Sequence, residues 1–290
     1  MVDDLVRRRV IRTPAVERAF RCVPRHALLP SPYILSTDPL VTEVEESDDP
    51  RRVYHELAVI LTPDLQVSCS APGLIALQIE QLAVLDGMRV LHIGTGSGYC
   101  TAILAELVGE RGSIVGVEPS TVLAEVSTER LAQAGYTTVT IRQGEAVLGV
   151  PEAAPFDRIL VSAGVIDIAP EWVEQLAAEG KLVLPLCPTG PLAQRVSGGS
   201  LLTIQKSGQD LWGELSAPAF FAPFQGAGAS ATARTALADG LARWFALEEF
   251  LRSDLPLRIL LKATSAQPPN PSSVPWLLET ENAVFWIEPS

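Results

Sequence analysis

Three glycines and one acid carry the strongest chemical signal in this 290-residue chain. The stretch "VLHIGTGSGYC" (90–100) sets Gly94, Gly96 and Gly98 at alternate positions after an apolar run, with helix-forming residues from Tyr99 onward. Lacking a Cβ, such a loop can turn tightly and let a ligand lie against its main chain. A dinucleotide fingerprint needs glycine at the first, third and sixth places. Counted from Gly94 the sixth place is Tyr99, so a nicotinamide cofactor is disfavoured. The next apolar run, "SIVGVE", ends in Glu118, 22 residues beyond Gly96. An acid roughly 20 residues past the loop accepts hydrogen bonds from a ribose diol. Loop and acid together predict a ribose-bearing ligand.

Strand ends must converge to hold such a pair. Between residues 67 and 225 the chain alternates strand-like runs ("MRVLHIG", "GSIVGVE", "TTVTIRQG", "FDRILVSAG", "KLVLPL") with helical ones ("YCTAILAELV", "TVLAEVSTERLAQAG", "PEWVEQLAAEG"). Strands rich in Val, Ile and Leu without polar alternation are buried on both faces, as in a parallel sheet. The pattern predicts an α/β domain, a doubly wound and mostly parallel Rossmann-like sheet. Residues 1–66 read as an N-terminal segment: a helix ending near "VPRHALLP" (23–30), then irregular chain with the acidic tract "TEVEESDDPRR" as a solvated loop. Residues 226–290 read as a small α+β extension. It comprises a small-residue linker "GAGASATARTA", a helix "LADGLARWFALEEFLRS", and the strand-like "PLRILLK" and "NAVFWIEP".

A net charge of -12 repels phosphate backbones, which argues against a nucleic-acid partner. No apolar run approaches the ~20 residues of a membrane span. The N-terminus also lacks a signal-peptide core, so a cytoplasmic protein is expected. Cys22, Cys69, Cys100 and Cys187 show no CxxC spacing and read as buried, reduced thiols. His26, His55 and His92 are too scattered to suggest a metal site. His26 reads as a structural contact under the N-terminal helix, and Trp212, Trp244, Trp276 and Trp286 as packing residues.

At this point "VLHIGTGSGYCTAILAEL" resembles the first motif of class I S-adenosylmethionine (SAM) methyltransferases, in particular the protein-L-isoaspartate O-methyltransferases. "VPRHALLP", "VSCSAPGLIALQIEQL" (67–82), "GVPEAAPFDRILVSAG" (149–164) and "WVEQLAAEGKLVLPL" (172–186) are similar to further motifs of that family, in the same order. The likeness covers roughly residues 10–224 and leaves the extension aside. It implies SAM as cofactor and a side-chain carboxylate of a peptide or protein as methyl acceptor. By position, Gly94, Thr95, Gly96 and Gly98 would pass under the methionine part of SAM and Glu118 would hold the ribose. Gly144 and Glu145 would lie beside the adenine, and Ser162 and Ala163 near the transferred methyl. Ser70 matches the family's active-site serine, with Ser68, Ala71 and Pro72 as substrate-binding neighbours. Serine is also a preferred helix cap, so Ser70 could equally cap the helix beginning "GLIALQ".

Three departures stand out. The family has an acid two residues before the first motif glycine, and here that position is His92, counted among the cofactor-binding residues. A neutral imidazole could take over a hydrogen bond to the methionine ammonium, whereas a charged one would repel it. The family's Gly-Asp-Gly near the adenine is Gly-Glu-Ala, and the acidic tract and the extension are additions. These additions point to a dedicated peptide or protein acceptor, with methylation of an aspartate leading on to aspartimide. General repair of isoaspartate, and a non-catalytic SAM-binding protein, stay open as alternatives, as does the oligomeric state. If Glu118 holds the ribose, Glu118→Ala should weaken SAM binding by about 1.5–3 kcal/mol, read by calorimetry.

Overall fold

Val90, Leu91, His92 and Ile93 are all fully buried, as expected of a strand covered on both faces. They form β5 (Arg89–Ile93) at the centre of a parallel set with β6 (Ser113–Glu118), β7 (Val139–Gln143), β8 (Phe156–Val161) and β9 (Leu176–Leu186). The order β7-β6-β5-β8-β9 reverses direction between β5 and β8, the switch point beyond which ligands bind in doubly wound sheets. The coordinates are those of a computed structural model, which describes residues 1–37, 43–64, 67–165, 168–187, 191–193, 196–208, 210–221, 257–263, 276–279 and 283–287.

Alternate residues of these strands feed two cores. Val90, Leu160 and Val183 pack with Phe20, Ile79 and Ile103 on one face. Leu91, Ile93, Ile159 and Leu182 pack with Phe156 and Trp172 on the other. The first face is covered by α2 (Pro14–Cys22), α3 (Pro72–Leu82) and α4 (Tyr99–Val108), after a short α1 (Val2–Arg7). Nine of the ten residues of α4 are buried, leaving Glu106 exposed. A helix apolar all round needs cover on its outer side, and α2 supplies it. Helices α5 (Thr121–Gln133) and α6 (Pro170–Glu174) complete the layers.

The N-terminal segment differs from its expected form. Two helices replace one, separated by Arg9 in the left-handed region (φ 58°) and restarted by Pro14 at the first helical position. Glu80 of α3, almost wholly buried, accepts hydrogen bonds from Arg12 N (2.7 Å) and Thr13 N (2.9 Å) and so caps α2 from outside its own sequence. The chain from 31 to 66 is likewise not merely irregular. Strands β1 (Tyr33–Ser36), β2 (Val44–Ser47) and β3 (Ala58–Ile60) join β4 (Ser68–Cys69) in an antiparallel sheet ordered β2-β1-β3-β4. The acidic tract therefore contributes an edge strand, β2, with Val44, Glu45 and Glu46 exposed.

Helix α6 ends at Glu174, so "LAAEG" is not helical as its composition suggests. Those residues begin β9, where Leu176 pairs with Phe156 and Phe156 N donates to Gln175 O at 2.8 Å. Tertiary pairing overrides the helix propensity of Ala and Glu. Beyond β9 the sheet turns antiparallel through β11 (Val196–Ser207) and β12 (Asp210–Phe221), with β10 (Pro191–Ala193) beside β11. The extension adds β13 (Leu257–Ala263), β14 (Trp276–Glu279) and β15 (Ala283–Ile287) in the order β12-β13-β15-β14. The helix expected over 237–253, which holds Trp244, lies outside the described residues. Trp212 is 45% exposed rather than packed inside, and Cys22 is exposed while the other three thiols are buried.

Among the described residues no helix is long and apolar enough to cross a membrane, and no cluster of acidic, His and Cys side chains could hold a metal ion. Replacing the trans-acting cap, Glu80→Ala, strands two inward-facing N–H groups and should cost about 1.5–3 kcal/mol. Urea denaturation monitored by circular dichroism would read this loss.

Candidate active site

The loop after β5 is tied to its neighbours before it meets a ligand. Gly94 N donates to Val117 O (2.8 Å) and Ser162 N donates to Ile93 O (2.9 Å), which fixes the ends of β5, β6 and β8 side by side. Gly96 has φ +54°, and a Cβ there would come within 3.2 Å of Leu61. Gly98, at φ +87°, is needed for a different reason. A Cβ would meet Leu131 of α5 at 3.2 Å, so this glycine serves helix packing rather than ligand approach.

Glu118 is the anchor of this wall. Its Oε2 accepts from Gly96 N at 2.8 Å and its Oε1 from Ser120 N at 3.2 Å. Burial raises its carboxyl above the usual glutamate range, and the two N–H donors pull it partly back. Each oxygen keeps acceptor capacity for a further donor. Thr95 has its methyl against Gly116, and its buried hydroxyl has no hydrogen-bond partner among the described residues.

These groups line one open cavity. Ser68, Ser70, Gly94, Thr95, Gly96, Glu118, Ser162 and Ala163 all lie on its wall. Gly98, Gly144, Glu145, Ala71, Pro72 and His92 do not. Glu145 is exposed, and Ala146, one residue on, is the group that faces the cavity. Trp172 fixes that stretch by donating from Nε1 to Ala146 O at 3.1 Å. Gln175 does the same nearby, receiving Val150 N and donating to Leu148 O, both at 2.7 Å.

His92 is behind the wall. Its Nδ1 lies 2.8 Å from Thr101 Oγ1 and its Nε2 2.8 Å from Ser162 Oγ. Complete burial pushes its pKa down to about 3, so the ring is neutral throughout the working range. With both nitrogens engaged, it cannot bond a ligand directly. Neither His26 nor His55 reaches the cavity; exposed His26 instead bonds the Tyr54 hydroxyl at 2.7 Å.

The same cavity is lined by Ser68 and Cys69 of β4 and by Ser70 just after it, with Leu61, Val67, Ile75 and Gln78. Ser70 does not cap α3. The cap position is Ala71, which makes no side-chain bond, and Glu56 receives Gly73 N at 2.8 Å instead. What holds Ser70 is Arg25, a fully buried side chain donating to Ser70 O (2.7 Å), Cys69 Sγ (3.3 Å) and Val53 O (2.8 Å), and lying 4.7 Å over the Tyr99 ring. Sequence reasoning passed over Arg25, although "VPRHALLP" contained it. It also passed over Ser97 and Cys100 inside the glycine motif and Ser120 beside Glu118, where proximity was a usable signal. Cys69, Gln78 and Ala146 gave no signal before the fold was known.

Comparison with known proteins agrees with this geometry. A family model described as protein-L-isoaspartate(D-aspartate) O-methyltransferase matches residues 1–198. The chain is 38% identical over 188 residues to the Opitutus terrae protein-L-isoaspartate O-methyltransferase, covering 65% of this chain and 72% of that one. It is 37% identical to the Methylorubrum extorquens protein of the same name, covering 72% and 79%. A solved protein-L-isoaspartate O-methyltransferase shares 26% identity at a TM-score of 0.59, covering 78% of this chain and 66% of that one. A Plasmodium falciparum structure described with S-adenosyl-L-homocysteine bound shares the fold at TM-score 0.63 and 20% identity, covering 77% and 96%. The chain belongs to the protein-L-isoaspartate O-methyltransferase family and is a SAM-dependent carboxyl methyltransferase.

Proposed function

We propose that this enzyme methylates the side-chain carboxylate of an isoaspartyl or aspartyl residue in a peptide or protein, presented across Ser68–Ser70. The carrying observation is that the glycine loop, Glu118 and Ser70 line one and the same cavity. SAM supplies an activated methyl group on a sulfonium. The residues present fit that cofactor: Glu118 offers acceptor capacity for a ribose diol, Gly96 leaves room where a Cβ would crowd Leu61, and the orphaned Thr95 hydroxyl lacks only a partner.

A carboxylate is already nucleophilic at neutral pH, so the protein needs no general base. Its task is to align oxygen with methyl carbon and to exclude water. Ser70 donates a hydrogen bond that orients the acceptor, and its main chain is held still by Arg25. Leu61, Val67 and Ile75 supply an apolar surround.

The names of the relatives favour isoaspartyl sites as acceptor. A second reading, a dedicated partner whose methyl ester closes to aspartimide, draws support from the small sheet. Its strand β4 lines the cavity while its exposed edge β2 carries Glu46, beside a Glu45 that is paired with Arg52. An acid there that is unpaired among the described residues favours a partner basic around the modified residue. In the closure, the next residue's amide nitrogen attacks the ester carbonyl and methanol leaves.

Ser70→Ala should lower kcat/KM for an isoaspartyl peptide about 10- to 100-fold, as for one lost charge-assisted hydrogen bond. SAM affinity and melting temperature should stay put, because Ser70 caps no helix. Unchanged turnover would remove Ser70 from the reaction. Glu45→Gln with Glu46→Gln should abolish any preference for lysine-flanked over neutral isoaspartyl peptides; equal rates on both in the parent enzyme would favour general repair. Affinity for S-adenosylhomocysteine should fall on acidification. Only ionised Glu118 accepts two hydroxyl donors, and its raised pKa starts that loss at a higher pH than an ordinary carboxylate would. Calorimetry across a pH series, with Glu118→Gln as the flat control, reads the effect.

A further inference from the structure

His92 has no part in the chemistry above, yet it sits fully buried two residues before Gly94 with both ring nitrogens engaged. A neutral imidazole carries one N–H, and the surroundings decide which nitrogen holds it. Thr101 is also fully buried, and its hydroxyl has no other partner among the described residues. Were the proton on Nδ1, the Thr101 hydroxyl hydrogen would point at no acceptor in a place closed to water. With the proton on Nε2, Thr101 donates to Nδ1 and Nε2–H donates to Ser162 Oγ, so every buried donor is used. Ser162 has then accepted a hydrogen bond on its oxygen and has donated none. Its own hydroxyl hydrogen has no acceptor within the described protein, and Ser162 lies on the cavity wall beside Gly94.

We infer that the Thr101–His92–Ser162 chain makes Ser162 a committed hydrogen-bond donor for a carboxylate in the cavity. Where the family's acid would accept a hydrogen bond from an ammonium, this chain offers the opposite polarity. The carboxylate is either that of the cofactor's methionine end or that of the methyl acceptor. The inference rests on the cofactor reading of the cavity. His92 acts through Ser162 and is a positioning residue.

The two sources separate by ligand. S-Adenosylhomocysteine carries the amino-acid carboxylate, and 5′-methylthioadenosine lacks it. Ser162→Ala should weaken the first by about 10- to 100-fold, the scale of one charge-assisted hydrogen bond, and leave the second alone if the cofactor is the source. If the acceptor is the source, both titrations stay unchanged and KM for an isoaspartyl peptide rises by a similar factor. Ser162→Thr, which keeps the hydroxyl, should restore either quantity. His92→Phe should reproduce the Ser162→Ala effect, and the double variant should be no weaker than Ser162→Ala alone.

Unchanged affinities and unchanged KM in Ser162→Ala, or multiplicative losses in the double variant, would overturn the proposal. Should His92→Phe fail to fold, the wild-type ring decides by nitrogen NMR: a proton on Nε2 supports the chain, and one on Nδ1 refutes it. Failure of the wild type to bind 5′-methylthioadenosine would count against the cofactor reading itself, and is thus distinguishable.

Discussion

A buried cation with no carboxylate partner among the described residues ties together the segments that line the candidate site. The Arg25 guanidinium spends its donors on two main-chain carbonyls and a thiol, and rests on the face of Tyr99. Tyr99 is the first residue of the helix that leaves the glycine loop, while Cys69 and Ser70 line the cavity beside it. One side chain therefore joins the cofactor helix, the small sheet and the segment around Val53. Removing a charge from water is costly unless its hydrogen bonds are met, and the carbonyl acceptors meet them here. The N-terminal helices become intelligible in this light. By covering α4 and placing Arg25 beneath it, they form part of the catalytic frame.

The cofactor wall is built on the same plan, with polar groups consumed internally before any ligand arrives. Glu118 holds the loop through Gly96 N and the start of α5 through Ser120 N. Trp172 and Gln175 pin the stretch around Ala146 from the far face of the sheet. Such prior bonding leaves little to reorganise when ligand binds, which suits a reaction whose demand is alignment rather than proton transfer.

The parallel half of the fold was legible because its strands are short apolar runs with glycine and acid at their ends. The motif residues Gly94, Gly96 and Glu118 came out where spacing put them. The small sheet was not legible. Its strands are two to four residues long, and "VEES" carries no apolar alternation to signal β2. The cap of α3 was hidden for a related reason. Serine is a common cap and Ser70 stands just before the helix, so the sequence left that role open, whereas the group doing the work is Glu56, brought back by the tertiary fold. Arg25 and Trp172 show the same limit, since their value lies in partners 44 and 26 residues away.

The antiparallel strands beyond β9 have a consequence for how this chain can diverge. Four strand pairings separate β8 from β13, which at about 4.8 Å each sets the extension's first strand some 19 Å from the chemistry. Growth at that edge seals β12, whose free main-chain groups would otherwise invite pairing with another chain. It leaves the strand ends around the switch point untouched. The sheet thus has a conserving side and an experimental side. New segments can accumulate on one margin, and be selected for whom they meet, without any cost to the alignment of carboxylate and methyl at the other.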